Sequence, residues 1–209
     1  MQYVVEGSLQ KSGEHIQINT RLIDSLKGRN IWAKSFKKDL NDIFDAQDEI
    51  TINILKSFYV ESIHGSDAEF YFSINSLEAI NYFMKGRDQY SRYTCDDIIK
   101  ARASYKKALE IDPGYAAAWA ELAWARQYTK QRDPCAGSWE EARNRRNDYL
   151  AKALEIDSTV PIVHAILAEI HQENGQYQMG LGQLEKAIHK RPNSAFLYYK
   201  WGELLGEGG

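Results

Sequence analysis

The chain has 209 residues, 44% hydrophobic and 26% charged, with 26 basic against 29 acidic side chains and a formal net charge of −3. That is room for one or two domains with a real core, built from an ordinary globular composition. The balance leaves no basic face for nucleic acid or anionic lipid, and no window approaches the roughly 18 apolar residues of a membrane span.

The opening residues Met1–Gly7 lack the charged region and apolar run of a signal peptide. Cys95 and Cys135 fall in different expected loops without metal-ligand spacing, and two cysteines make no disulfide framework. A cytoplasmic location is the default expectation, a periplasmic one if a membrane helix lies upstream.

Residues 3–36 alternate with period 2. Ile16, Ile18, Thr20 and Leu22 share one face, and His15, Gln17, Asn19 and Arg21 the other. Turns at Lys11–Glu14 and Lys27–Asn30 separate this strand from Tyr3–Gln10 and Ile31–Phe36, giving a three-stranded meander. Near residue 39 the period changes. Leu40, Ile43, Phe44, Gln47, Ile50, Ile54 and Leu55 predict an amphipathic helix of about four to five turns, capped by Asp39 or Asn41. Its apolar stripe suits the Ile16/Ile18/Leu22 face. So small a sheet, beginning almost at residue 1, reads as the end of a larger α/β domain.

The stretches Ala108–Pro113, Ala153–Ser158 and Ala187–Pro192 each run from a small residue through an apolar one to a helix end. The last two start 34 residues apart; the first two start 45 apart, which predicts an 11-residue insertion around Lys130–Ser138. After each end a helical pattern resumes, with Trp119, Leu122 and Ala123, then His164, Leu167, Ala168 and His171, then Tyr198, Trp201, Gly202 and Leu205. Ala123, Ala168 and Gly202 are expected at close helix approaches, against Ala101 or Gly180 and Tyr105, Leu150 or Leu184. An earlier pair occupies Leu77–Tyr90 and Asp97–Ile111, joined by a long loop at Ser91–Asp96.

These residues resemble the tetratricopeptide repeat family over roughly 76–205, as three repeats and the first helix of a fourth. Arg146 departs from the pattern, since a small residue is usual there, and so does the insertion. The resemblance implies a right-handed superhelix whose first helices line a concave groove that binds a protein or peptide. Groove candidates are Arg87, Trp124, Gln127, Tyr128, Glu169, Gln172, Phe196, Tyr199 and Lys200, with Trp124 and Tyr199 foremost as aromatic anchors. The alternative for both is padding against neighbouring helices or the adjacent β piece. A natural array normally ends in a cap helix, and none follows Phe196–Leu205 before Gly206-Glu207-Gly208-Gly209.

A second resemblance lies in Tyr3–Leu9, Ile16–Asp24, Gly28–Phe36 and Asp39–Ile50, which look like the end of a TolB-like amino-terminal domain. In bacterial signalling proteins such a domain stands before tetratricopeptide repeats, often downstream of a class III adenylate or guanylate cyclase, in others of a winged-helix regulator or kinase. The expected organisation is α+β, mainly α: a partial TolB-like domain over 1–60, a linker over 61–75 and the repeat array over 76–209.

No catalytic, metal or cofactor residues are expected. His164 and His171, seven apart with Glu169 and Glu173 nearby, occupy packing positions more than a metal site. Asp39, Asp42, Asp45, Asp48 and Glu49 lack the glycine turn of a calcium loop and read as a helix start. Arg143, Arg145 and Arg146, beside Trp139 and Tyr149, read as a solvated helix face balanced by Glu140 and Glu141. No phosphate-binding glycine loop, Ser-His-Asp arrangement or cyclase aspartate pair is present. The expected function is a non-catalytic scaffold in a signalling protein, the alternative an architectural module that forms a homodimer.

Overall fold

The computed structural model describes residues 2–39, 42–63, 68–127 and 139–208. It divides into two compact units, Met1–Leu77 and Glu78–Gly209.

In the first unit, strands β1 (Tyr3–Ser12), β2 (His15–Asp24) and β3 (Arg29–Asp39) form an antiparallel meander in that order. Gly13 and Gly28 supply the left-handed backbone of the two turns, at φ 64° and 63°. The buried Asp24 carboxylate accepts from the amides of Leu26 and Lys27, both at 3.1 Å, which shapes the second turn. Pairing aligns Leu9 with Ile18 and Phe36, and Val5 with Leu22 and Trp32.

Helix α1 (Ile43–Ile63) lies across β2 and β3 and buries Ile16, Thr20, Leu22 and Phe36 against Ala46 and Ile52. Glu49 fastens it, meeting Lys34 at 3.3 Å and Lys38 at 2.9 Å. α1 is longer than its sequence pattern predicts, and Leu55 points to solvent instead of into the core. Of the two expected caps, Asp39 belongs to β3 and bonds His15, and Asn41 lies outside the described residues. A short helix, α2 (Ala68–Tyr71), packs beside α1, and Tyr71, Phe72 and Ile74 are buried.

The second unit is built of helix pairs: α3 (Leu77–Tyr90) with α4 (Cys95–Ile111), α5 (Ala116–Gln127) with α6 (Trp139–Ile156), α7 (Pro161–Glu173) with α8 (Tyr177–Lys190), then α9 (Ala195–Glu207). The same C-cap recurs three times: the amides of Asp112, Asp157 and Arg191 donate to the carbonyls of Ala108, Ala153 and Ala187, each at 2.9 Å. These three alanines are fully buried. Asp112 and Asp157 also turn the chain alike, accepting from the amides of Gly114 and Thr159 at 2.8 Å. Thr94 and Ser194 cap α4 and α9, and Pro161 opens α7.

Small residues let the helices meet. A Cβ at Gly86 would lie 2.6 Å from the Tyr105 ring, so only glycine admits that ring between α3 and α4. Gly180 performs the same role against the Ala168 carbonyl and Leu204. Gly202, expected at such a contact, has open space around it, because no described helix covers that face of α9. Tyr198 and Leu205 on the same helix are exposed accordingly.

Arg146 occupies its small-residue position by a different solution. Its guanidinium is buried and forms a two-pronged pair with Glu173 of α7, at 2.9 and 3.1 Å. The Arg143/Arg145/Arg146 cluster is therefore split, with Arg143 and Arg145 facing solvent and Arg146 facing the core. Cys95 is a second departure from the sequence expectation: it begins α4 and is disulfide-bonded. Cys135 and the expected insertion around it lie outside the described residues.

Candidate functional site

Each first helix of the array presents a face that its own partner does not cover. Along α5, Trp119 is used structurally: its indole N–H donates to the Pro113 carbonyl at 2.9 Å, its ring packs on Tyr149, and Lys152 lies 4.3 Å from the ring centre. Trp124, five residues on, turns to the other side and meets Phe196 of α9 edge to face at 5.3 Å.

That contact is one wall of a pocket of about 380 Å³. Its lining comes from α3 and the turn after it (Tyr90, Tyr93), from α5 (Trp124), α7 (Glu169) and α9 (Phe196, Tyr199, Lys200, Glu203). Tyr90 and Tyr93 contact one another at 5.5 Å between ring centres. Tyr93 has φ 53°, left-handed backbone that a bulky side chain rarely adopts. Tyr93 and Tyr199 are about 60% exposed, whereas Tyr90 and Trp124 are buried, so the pocket has a hard floor and accessible rims.

One ammonium and two carboxylates share the pocket. Lys200 Nζ sits 2.6 Å from Glu169 and 2.9 Å from Glu203, and the Tyr199 hydroxyl donates to Glu203 at 2.9 Å. Burial pushes the Glu169 carboxyl up, against the opposing pull of Lys200. At Lys200 burial works against the charge, but the two carboxylates outweigh it and hold the ammonium above its ordinary range. Glu203, nearer the surface, is held low because its bonds from Lys200 and Tyr199 outweigh its desolvation. Two further pairs, Arg146–Glu173 and Arg87–Glu121 at 3.5 Å, are each internally neutral.

Five of the sequence-derived groove candidates thus converge: Trp124, Glu169, Phe196, Tyr199 and Lys200. Arg87 is half-buried against Glu121, and Gln172 donates to Glu207 at 2.7 Å. Gln127 ends α5, its side chain and all of Tyr128 lying outside what is described. Sequence reasoning did not name Tyr90, Tyr93 or Glu203 among the groove residues. Glu203 follows Tyr199 by one helical turn, and that spacing was the available signal.

The histidines hold other positions. His164 Nδ1 meets a Gln183 oxygen at 3.0 Å and His171 Nδ1 a Gln176 oxygen at 2.8 Å, bonds that tie α7 to α8 and to the turn before it. Among the described residues no group of His, Cys, Asp and Glu is arranged to hold a metal ion, and no helix is long and apolar enough to cross a membrane.

Repeated helix pairs, identical caps and small residues at the crossings define a tetratricopeptide-like fold for the second unit, within a chain that is α+β and mainly α. No protein-family model matches the sequence. Over 124 residues the chain is 33% identical to a Rhizobium meliloti (strain 1021) protein named "Putative adenylate cyclase 3". The match covers 58% of this chain and 21% of that protein, so the chain spans about a fifth of its relative. Among solved structures, the Arabidopsis OM64 TPR domain superposes with a TM-score of 0.45 at 15% identity, over 60% of this chain and 93% of that one.

Proposed function

We propose that this chain is a non-catalytic protein-interaction segment of a bacterial signalling protein, and that its ligand is a peptide segment bound on the inner face of the helix array. The observation that carries this reading is the convergence of all four first helices on one aromatic pocket. Its volume falls at the lower end of the roughly 300–1,000 Å³ usual for ligand sites. That size suits a side chain or short stretch of polypeptide. The relative named as an adenylate cyclase supports a regulatory place beside a cyclase output domain. The TolB-like resemblance supports reading residues 1–60 as part of such a domain, with 61–75 leading from it to the array.

The test is selection of peptides from a displayed random library on the full chain, followed by calorimetric titration. Binding at micromolar Kd, lost in Tyr199→Ala with the thermal transition unchanged, is expected. Peptides that bind Tyr199→Ala as well as the parent overturn the groove assignment. Incubation with ATP or GTP is expected to yield no cyclic nucleotide.

A second reading, an architectural dimerisation module, rests on strand β1, which among the described strands pairs only with β2. Val5 and Leu9 lie on the face that carries α1, yet they are 50% and 57% exposed. Light scattering across concentration decides it: a dimer abolished by Leu9→Lys favours this reading.

A further inference from the structure

The pocket's chemistry goes beyond a general peptide groove. Resting on that reading, we propose that the pocket accepts one basic side chain, lysine or arginine, of the bound polypeptide, with its cation against the aromatic walls and beside Glu203.

Three observations support this. The walls are aromatic on several sides, from Tyr90 and Tyr93 to Trp124 and Phe196, and the face of an aromatic ring attracts a cation. Among the lining residues two carboxylates stand against one ammonium, a surplus of one negative charge, and the neighbouring pairs of Arg146 and Arg87 do not alter it. Lys200 is already engaged by Glu169 and Glu203, so a ligand anion would have to compete with both carboxylates for the one cation present. A ligand cation instead adds to Glu203, which Lys200 and Tyr199 already bond but which is only partly enclosed and is held in its ionised form by those bonds. An uncharged side chain would fill the walls but leave the surplus negative charge of the lining in place.

The test uses the full 209-residue chain and four blocked pentapeptides, Ac-Ala-Ala-X-Ala-Ala-NH2, with X lysine, arginine, norleucine or glutamate. Each is titrated into ¹⁵N-labelled protein while backbone amide shifts are followed. The lysine and arginine peptides should give saturable shifts at Tyr93, Phe196, Tyr199 and Lys200, with norleucine at least about five-fold weaker. Glu203→Gln should weaken the lysine peptide about five-fold, leave norleucine unchanged and keep the amide spectrum elsewhere, and the lysine preference should shrink as salt rises. Equal binding of lysine and norleucine at these amides overturns the cation inference while leaving the peptide groove standing. Preference for glutamate overturns it in favour of an anion site at Lys200. Saturable shifts elsewhere, or none with any peptide, remove both the inference and the groove beneath it.

Discussion

Arg146 and Glu173 lie 27 residues apart, on different repeats, and form a two-pronged ion pair in which the arginine side chain is only 2% exposed and the glutamate 12%. The pair joins α6 to α7 where the repeat pattern has a small residue. Breaking such a pair strands a charge in a medium that solvates it poorly. Arg146→Met is therefore expected to destabilise the protein by about 3–5 kcal/mol. Removing both charges together costs far less, because nothing is stranded. The double variant Arg146→Met/Glu173→Met should recover most of the loss, measured by urea denaturation as a double-mutant cycle.

Two glycines on first helices should respond in opposite directions to alanine. At Gly86 the added methyl meets the Tyr105 ring at 2.6 Å, inside a contact that cannot open without moving α4. Gly86→Ala should cost about 1–3 kcal/mol through overpacking. At Gly202 the methyl meets nothing within 4 Å. There only helix propensity acts, and Gly202→Ala should stabilise by about 0.5–1 kcal/mol. Thermal melts of the two variants beside the parent provide the check.

Glu49 predicts a pH dependence for the first unit. Its bond from Lys38, aided by Lys34, holds its carboxyl below the ordinary value of 4.5, even against partial desolvation. A carboxyl with a depressed folded-state pKa stabilises fully above its unfolded pKa, and the contribution is lost as pH falls through the folded one. Glu49→Gln should therefore lower the melting temperature at pH 7 and lower it less at pH 3, because the contribution declines once the pH is below the unfolded-state value. An equal loss at both pH values would mean that Glu49 contributes by packing and not by charge.

Much of this architecture was legible because its causes are local. Ala108, Ala153 and Ala187 were found by spacing, since each must be small where helices cross and each ends a helix in the same way. The meander was legible because period 2 and two glycine turns leave little choice of register. Arg146 was not, because its partner is on the next repeat and nothing near it in sequence signals the pairing. Gly202 matched the family's small-residue position, yet a pattern on one helix does not say whether another helix covers it. Five groove candidates could be named from the faces of first helices, whereas Tyr93 sits in a turn, where helical periodicity assigns no face.

Tyr93 offers a separation of stability from binding. Its φ of 53° costs an L-residue about 1–2 kcal/mol, and glycine would adopt it freely. Tyr93→Gly relieves that strain, but it gives up the ring contact with Tyr90, worth about 0.5–1.5 kcal/mol, and adds freedom to the unfolded chain. These opposing effects are of similar size, so the variant should keep its melting transition within about 1 kcal/mol of the parent. Binding has no such compensation. An exposed cation–ring contact is worth about 0.5–1 kcal/mol, so the lysine pentapeptide should bind about two- to five-fold more weakly. The norleucine peptide should lose less, because it forfeits contact area and no electrostatic attraction. If Tyr93→Gly instead unfolds the second unit while leaving the lysine preference of the surviving folded fraction intact, the ring serves the α3–α4 turn and not the pocket.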